Sequence, residues 1–228
     1  MSNRIVRNIP NLITCCNLLS GCGAVVAALQ GHILTAFFCI LAGAAFDFCD
    51  GLSARLLHAY SPMGKELDSL ADLVTFGMAP SLLCFKAMCD IAWPIASGFL
   101  PYTAFILAAA SALRLARYNV ETFQDVTFTG LAVPADAIFW CGQMLWLQDM
   151  TQPLYGYILI AEIILFSLLM TSRIPMFTLK FHNLTWRENR VRYIFLIISP
   201  LFVILSGLKG VSCIILWYII LSLLTCRK

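Results

Sequence analysis

Residues 33–57 read ILTAFFCILAGAAFDFCDGLSARLL, an apolar run that turns polar toward its carboxyl end. A helix needs about 20 apolar residues to cross the hydrocarbon core of a bilayer. In lipid, every backbone N–H and C=O group must be bonded within the protein, which leaves α-helices or closed β-barrels. Because this run is continuous rather than alternating, it predicts a membrane-spanning helix that carries Asp47, Asp50 and Arg55 near one end.

The rest of the chain has the same apolar character. Of its 228 residues, 61% are hydrophobic and 12% are charged, whereas soluble domains are about half apolar and a quarter charged. The net charge of +3 is too small and too scattered to indicate a nucleic-acid partner. The ten cysteines include no C-x-x-C pair and several lie in apolar runs, so we interpret them as small buried hydrophobic residues.

Eight apolar stretches can be spanning helices, so the predicted fold class is all-α, a polytopic membrane helix bundle. Their approximate bounds are 11–30, 33–57, 67–87, 97–118, 133–147, 154–172, 193–205 and 211–225. With both termini in the cytoplasm, all but Lys86 and Lys209 of the 15 lysines and arginines fall on the cytoplasmic side, as the positive-inside rule predicts. The polar segment 180–192 either lies along the lipid surface or forms a cytoplasmic loop.

Four aspartates lie near the predicted cytoplasmic ends of the second and third spans. Asp47 and Asp50 are three residues apart, and Asp68 and Asp72 are four apart, spacings that place each pair on one helix face. A turn at residues 61–64, which Gly64 permits, folds the two helices antiparallel, so the carboxylates converge. Charge at membrane depth is costly and usually functional. Two divalent cations, Mg²⁺ or Mn²⁺, would neutralise four carboxylates.

The residues between the two aspartate pairs fit a phosphate site. Gly51 and Ala54 are small enough for a phosphate or a neighbouring helix to approach the backbone. Arg55 can form paired hydrogen bonds with phosphate oxygens. Paired metals at such a site can hold a pyrophosphate and stabilise both the attacking and the leaving oxygens of an in-line displacement. The alternative is that the aspartates are only solvated at their helix ends.

The whole pattern resembles the signature of the CDP-alcohol phosphatidyltransferases. It runs Asp47-x2-Asp50-Gly51-x2-Ala54-Arg55-x8-Gly64-x3-Asp68-x3-Asp72. The resemblance implies that Asp47, Asp50 and Asp68 bind metal, and that Asp72 binds metal and also removes the proton of the acceptor hydroxyl. It further implies a CDP-diacylglycerol donor, whose CDP moiety is held by Gly51, Ala54, Arg55 and Gly64.

The resemblance also carries expectations about architecture. The family has a helical core of six spans, so a single domain over residues 1–228 would comprise a core at about 1–175 and two additional helices at about 193–226. It implies an integral protein of a bacterial cytoplasmic membrane whose active site faces the cytoplasm. Dimers are common in the family, so a homodimer is compatible with the resemblance, but the sequence identifies no interface.

Three further segments resemble the phosphatidylserine synthase branch of the family, which implies L-serine as the acceptor. They are residues 63–80 (MGKELDSLADLVTFGMAP), residues 113–119 (LRLARYN) followed by Gly130 and Pro134, and residues 172–176 (SRIPM). Residues 9–14 (IPNLIT) and Asn17 add to the likeness. Ala132 departs from the branch, which usually has a proline there.

Physical chemistry gives independent support for an anionic acceptor. Serine carries a carboxylate that must be paired at a membrane interface. Arg114 and Arg117 lie three residues apart near the cytoplasmic end of the fourth span, where either can bind that carboxylate. Positive-inside anchoring is the alternative role for both. Asn119 is a further polar partner for serine.

Polar residues also recur on the first predicted helix, where Asn11, Thr14 and Asn17 repeat at three-residue spacing. They either contact the CDP-lipid or cap and solvate their own helix. In the third helix, Gly77 and Pro80 predict a bend.

Two other functions remain open at this point. One is the same chemistry with a different alcohol acceptor, since glycerol phosphate and inositol phosphate are also polar. Alternatively, the aspartates line an ion pathway in an ion-coupled transporter. A transporter would place the carboxylates near the bilayer midplane, in broken helices of matching repeats, whereas these aspartates lie at a predicted cytoplasmic edge.

Overall fold

In the computed structural model, the described residues are 2–93, 98–120, 129–179 and 185–225. They form helices and no β-strand, apart from an isolated bridge between Thr129 and Pro175. The helices are α1 (Ser2–Leu29), α2 (Ile33–Leu56), α3 (Pro62–Asp72), α4 (Ala79–Cys89), α5 (Phe105–Val120), α6 (Val133–Leu147), α7 (Pro153–Thr171), α8 (Trp186–Ser206) and α9 (Gly210–Thr225). A π-helical segment, Leu73–Met78, joins α3 to α4 without a break.

The all-helical prediction is confirmed for the described residues. Helices α1 and α8 begin earlier than the predicted 11 and 193, and α5 begins later than the predicted 97. Within that part of the chain, five stretches are long and apolar enough to cross a membrane. They are Asn8–Leu29, Ile33–Leu56, Pro62–Cys89, Pro153–Thr171 and Asn189–Thr225. Helices α5 and α6 have 16 and 15 residues, about 24 Å or less at 1.5 Å per residue. That is shorter than the bilayer core of about 30 Å, so the full count of eight spans stays a prediction.

Aromatic side chains of α6 and α7 pack against each other inside the bundle. Phe139 and Trp140 on α6 are almost fully buried. The Phe139 ring stacks on Phe166 of α7 with centroids 3.9 Å apart, and Trp140 meets the same ring edge-on. These contacts fix α7 against α6, and α6 in turn packs against α2 and α4.

The turn between α2 and α3 differs from the prediction. Helix α3 already begins at Pro62, after the N-cap Ser61, whose Oγ accepts a hydrogen bond of 3.0 Å from the Gly64 N–H. Gly64 therefore lies in the first turn of α3 rather than in the connection. A β-carbon at residue 64 would lie 3.0 Å from both Ser61 Oγ and Asn11 Oδ1, so a larger residue would crowd the contact with α1.

The C-terminal part of the chain forms a helical hairpin. Gly207, at a φ of +60°, separates α8 from α9. The Phe195 and Tyr218 rings, one on each helix, lie 6.0 Å apart, so the chain reverses at this glycine. Of the polar segment 180–192, residues 180–184 lie outside the described residues. The remainder begins α8, which therefore starts earlier than the predicted 193 and has a non-helical residue at Asn189.

Candidate active site

Three of the four predicted aspartates converge between the carboxyl half of α2 and the middle of α3. One carboxylate oxygen from each of Asp47, Asp50 and Asp68 lies within 4.8 Å of the other two. Asp50 is only 5% exposed, and Asp68 Oδ1 is buried without a hydrogen-bond partner. A set of oxygen-only ligands, one of them an unsatisfied buried oxygen, suits a hard divalent cation. The cluster can therefore hold a metal ion of that class.

Asp72 lies one helical turn further along α3 and is not part of this group of three. Its Oδ1 accepts a hydrogen bond of 3.0 Å from Asn17 Nδ2 on α1. Within the described residues, no side chain donates to its other oxygen, Oδ2. Asp72 therefore has one oxygen fixed by the protein and one oxygen left for a ligand or a proton.

Two side chains of helix α1 donate hydrogen bonds to the carboxylates. Thr14 Oγ1 lies 2.5 Å from Asp50 Oδ2, to which it donates. Thr14 and Asn17 are 3% and 0% exposed, so both bonds are shielded from water. The predicted contact of these two residues with a nucleotide remains untested. What the structure adds is that each holds an aspartate.

A cleft of about 200 Å³ opens beside the aspartates. Most of the residues predicted to hold a CDP-lipid line it, together with two of the aspartates. They are Asn11, Thr14, Asp50, Gly51, Ala54, Gly64 and Asp68. Among the described residues, no atom lies within 4 Å of the place of a β-carbon at Gly51, so the space over that residue is open to a ligand. Arg55 is exposed and is not part of this lining.

The predicted acceptor residues lie at the carboxyl end of α5. Asn119 Nδ2 donates to Ser69 Oγ at 2.8 Å, which joins α5 to the face of α3 near the aspartates. Arg117 Nη1 donates instead to the Thr171 carbonyl at the end of α7, at 2.8 Å. Arg114 is partly buried one turn earlier on α5. The structure thus brings Asn119 to the aspartate-bearing helix and directs Arg117 toward α7.

The segments resembling one branch of the family come together in space. The Gly130 N–H donates to the Ile174 carbonyl at 2.9 Å, and the Leu131 N–H donates to the Leu169 carbonyl at 3.1 Å. Gly130 has a φ of +71°, and a β-carbon there would lie 2.7 Å from the Met170 carbonyl oxygen. Only glycine fits both conditions. The start of α6 is thereby fixed to the end of α7, beside Arg117.

Two polar residues near the site were missed by the sequence reasoning. Lys65 lines the cleft, although the signature does not include it. Asp136, in the first turn of α6, is 1% exposed. Its Oδ1 accepts a hydrogen bond of 3.2 Å from Trp140 Nε1, whereas its Oδ2 is buried without a partner. A carboxylate in an apolar stretch was the signal that could have identified Asp136.

A second, larger cavity of about 440 Å³ lies away from the aspartate cluster. Its lining includes His32, Lys86, Asp90 and Asp149. Lys86 and Asp90 form an ion pair with each other at 2.8 Å. None of the predicted site residues lines this cavity, so its size does not make it the active site.

Comparison with known proteins identifies a family that this chain matches. Residues 7–176 match the family model described as CDP-alcohol phosphatidyltransferase. The CDP-diacylglycerol–serine O-phosphatidyltransferase of Bacillus subtilis (strain 168) is 39% identical over 130 residues, which cover 55% of this chain and 69% of that protein. The Mycobacterium tuberculosis (strain ATCC 25618 / H37Rv) protein of the same name is 29% identical over 223 residues, 94% of this chain and 74% of the relative.

A third similar protein is the archaetidylserine synthase of Methanothermobacter thermautotrophicus. It is 32% identical over 136 residues, which cover 57% of this chain and 54% of that protein. The matched family region contains all four aspartates, the cleft residues and the end of α5.

Proposed function

Since the chain belongs to the CDP-alcohol phosphatidyltransferase family, we propose that it transfers the phosphatidyl group of CDP-diacylglycerol to L-serine, giving phosphatidylserine and CMP. The observation that carries the reaction class is the convergence of Asp47, Asp50 and Asp68 beside a cleft lined by Gly51 and Ala54. Small residues next to a carboxylate cluster leave room for a pyrophosphate and for its counter-ions.

In this proposal two Mg²⁺ or Mn²⁺ ions would be held by Asp47, Asp50 and Asp68, with Asp72 as the fourth carboxylate. When bound, these ions would act as Lewis acids and stabilise the charge that develops on the leaving phosphate. The chain's own residues hold the donor. Gly51, Ala54 and Gly64 leave space beside the CDP moiety, Arg55 reaches its phosphates from the rim, and Asn11 faces it from α1.

Asp72 acts as the general base in this proposal. Its Oδ1 is fixed by Asn17, and Oδ2 takes the proton of the serine hydroxyl. The serine oxygen then forms a bond with the phosphorus that carries the lipid. The bond from that phosphorus to the bridging oxygen breaks, and CMP leaves with the electron pair. A transfer in one step, without a covalent enzyme intermediate, needs only this one base.

The choice of serine rests on the names of the relatives and on the end of α5. Two of these relatives are CDP-diacylglycerol–serine O-phosphatidyltransferases and one is an archaetidylserine synthase. Arg114 and Arg117 would provide positive charge for the serine carboxylate, and Asn119 a polar contact beside α3. Glycerol phosphate and inositol phosphate are the competing acceptors, because the same cations also attract a phosphate.

We further propose that the chain crosses a bacterial cytoplasmic membrane eight times, with α3, the π-helical segment and α4 counted as one span. Both termini and the aspartates would lie on the cytoplasmic side. The five long apolar stretches support a membrane protein, and the distribution of lysine and arginine favours this orientation. The donor would then enter with its acyl chains still in the lipid, while serine enters from water. We also propose a single domain over 1–228, in which α8 and α9 are added to the family core; the family match over residues 7–176 supports the extent of that core.

The deciding experiment is transfer by detergent-purified protein with CDP-diacylglycerol, Mg²⁺ or Mn²⁺, and each alcohol supplied separately. We expect CMP release with serine and a phosphatidylserine product. The variant Asp72→Asn, measured in parallel, should stay folded and lose at least about a hundredfold in rate, as is typical when a general base is removed. CMP release with another alcohol alone would reject serine as the acceptor. No release with any alcohol, from folded protein, would reject the enzyme and favour ion transport.

A further inference from the structure

Lys65 occupies a position that the family signature leaves undefined, between Gly64 and Asp68 on α3. It lines the same cleft as Asp50, Gly51 and Asp68. Among the described residues that line this cleft, Lys65 carries the one positive charge. A cation in the wall of an otherwise acidic cleft requires an explanation in terms of what the cleft binds.

The present partner of Lys65 is a weak one. Its Nζ donates to the main-chain carbonyl of Asn119 at 2.9 Å, in an exposed position at the end of α5. A bond between an ammonium and a neutral carbonyl in water is easily exchanged, whereas hydrogen bonds to phosphate oxygens are charge-assisted and roughly twice as strong. The ammonium group has three donors, so a phosphate can be bound while the carbonyl is kept or released.

Charge balance calls for a cation at this place. Four carboxylates are neutralised by two divalent ions, so the two negative charges of a doubly esterified pyrophosphate are left over. Arg55 can cover one of them from the rim of the cleft, although it is not among the lining residues. Lys65 is the group within the lining that can cover the other. A desolvated, unpaired phosphate charge would be costly at the membrane surface.

We propose that Lys65 is a donor-binding residue, whose ammonium group contacts a phosphate oxygen of the CDP-lipid. This inference rests on the proposed function, because it takes the cleft as the site of the CDP moiety. Ser69, one turn after Lys65 on α3, accepts a hydrogen bond from the Asn119 side chain at 2.8 Å. The proposed donor contact at Lys65 therefore lies one helical turn from the partner of Asn119, the residue proposed to contact serine.

The test compares Lys65→Met, which removes the charge, with Lys65→Arg, which keeps it. Lys86→Met is the matched control, since Lys86 lies on the same helical rod and pairs with Asp90 away from the cleft. Binding of CDP to each detergent-purified protein is measured by titration calorimetry, with Mg²⁺ and again with EDTA. The Michaelis constants for CDP-diacylglycerol and for serine are measured separately.

With Mg²⁺, we expect Lys65→Met to weaken CDP binding about tenfold and to raise the KM for CDP-diacylglycerol by a similar factor. The KM for serine should change less than the KM for CDP-diacylglycerol, and the thermal midpoint should stay unchanged because the side chain is exposed. Lys65→Arg should recover most of the loss, and Lys86→Met should match the parent protein. Unchanged CDP binding in Lys65→Met, or a rise confined to the KM for serine, would overturn the inference.

The two proposals fail in different ways. If the parent protein binds CDP but transfers to no alcohol, the proposed function fails, while the calorimetric comparison still decides the role of Lys65. If Lys65→Met transfers to serine with unchanged CDP binding and an unchanged KM for CDP-diacylglycerol, the proposed function stands and the inference about Lys65 is wrong.

Discussion

At the scale of single residues, the site depends on how α1 supports the carboxylates of α2 and α3. Carboxylates at a few ångströms repel one another, and burial strengthens the repulsion. Thr14 donates to Asp50 and Asn17 donates to Asp72, so each bond fixes one oxygen and offsets part of the charge. These two residues therefore define where a metal finds its ligands.

Replacing Thr14 by valine tests this supporting role. Valine has nearly the same shape but no hydroxyl, so Asp50 loses a buried hydrogen bond to a charged group, worth about 1.5–3 kcal/mol. We expect Thr14→Val to need at least about tenfold more Mn²⁺ for half-maximal CMP release. Thr14→Ser, which keeps the hydroxyl, should titrate close to the parent protein. An unchanged metal titration in Thr14→Val would show that the bond to Asp50 does not organise the metal ligands.

At the scale of helices, the π-helical segment Leu73–Met78 follows Asp72 directly. It places the fully buried Thr75 against α1, where Thr75 Oγ1 donates to the Asn17 carbonyl at 3.1 Å. Gly21 allows this approach, because a β-carbon there would come within 2.9 Å of Thr75 Cα. A π-helical turn adds a residue to the helix and often marks a functional site.

The close approach at Gly21 makes a prediction about stability. Gly21→Ala should force α1 away from residues 73–78 and cost about 1–3 kcal/mol, as overpacking usually does. Gly23→Ala is the control. Among the described residues, a β-carbon there meets only Cys39 Sγ, at 3.6 Å, and alanine favours a helix by about 1 kcal/mol. Thermal unfolding in detergent should separate the two variants. Equal midpoints would mean that α1 and the π-helical segment can shift apart without loss.

The same elements explain how far the sequence could predict the site. Helical periodicity predicts that Asp47 and Asp50 share a helix face. The short connection between α2 and α3 predicts that the two aspartate pairs lie close to each other. The bonds from Thr14 to Asp50 and from Asn17 to Asp72 span 36 and 55 residues. They depend on how α1 crosses the other helices, which local patterns do not encode. Gly77 and Pro80 signalled an irregularity, but the π-helical turn itself was not predictable from them.

At the scale of the whole molecule, the number of membrane crossings depends on the C-terminal hairpin. The stretch Asn189–Thr225 is continuous in its apolar character, yet the chain reverses within it at Gly207. Helix α9 packs against α6, and Trp146 Nε1 of α6 donates to the Lys209 carbonyl at 3.0 Å. The hairpin is thus attached to the bundle, so α8 and α9 should each cross the bilayer and return the C-terminus to the cytoplasm.

Reporter fusions in bacterial cells test this topology directly. Alkaline phosphatase, which is active only outside the cytoplasm, should be active when fused after Lys209 and inactive when fused after Lys228. A fluorescent protein that folds in the cytoplasm should give the opposite result at both positions. A fusion after Asp149, between α6 and α7, serves as the second external site, since the eight-span arrangement places that connection opposite the aspartates. Phosphatase activity after Lys228 would mean that residues 189–225 cross the membrane only once, and the C-terminus would then lie outside the cytoplasm.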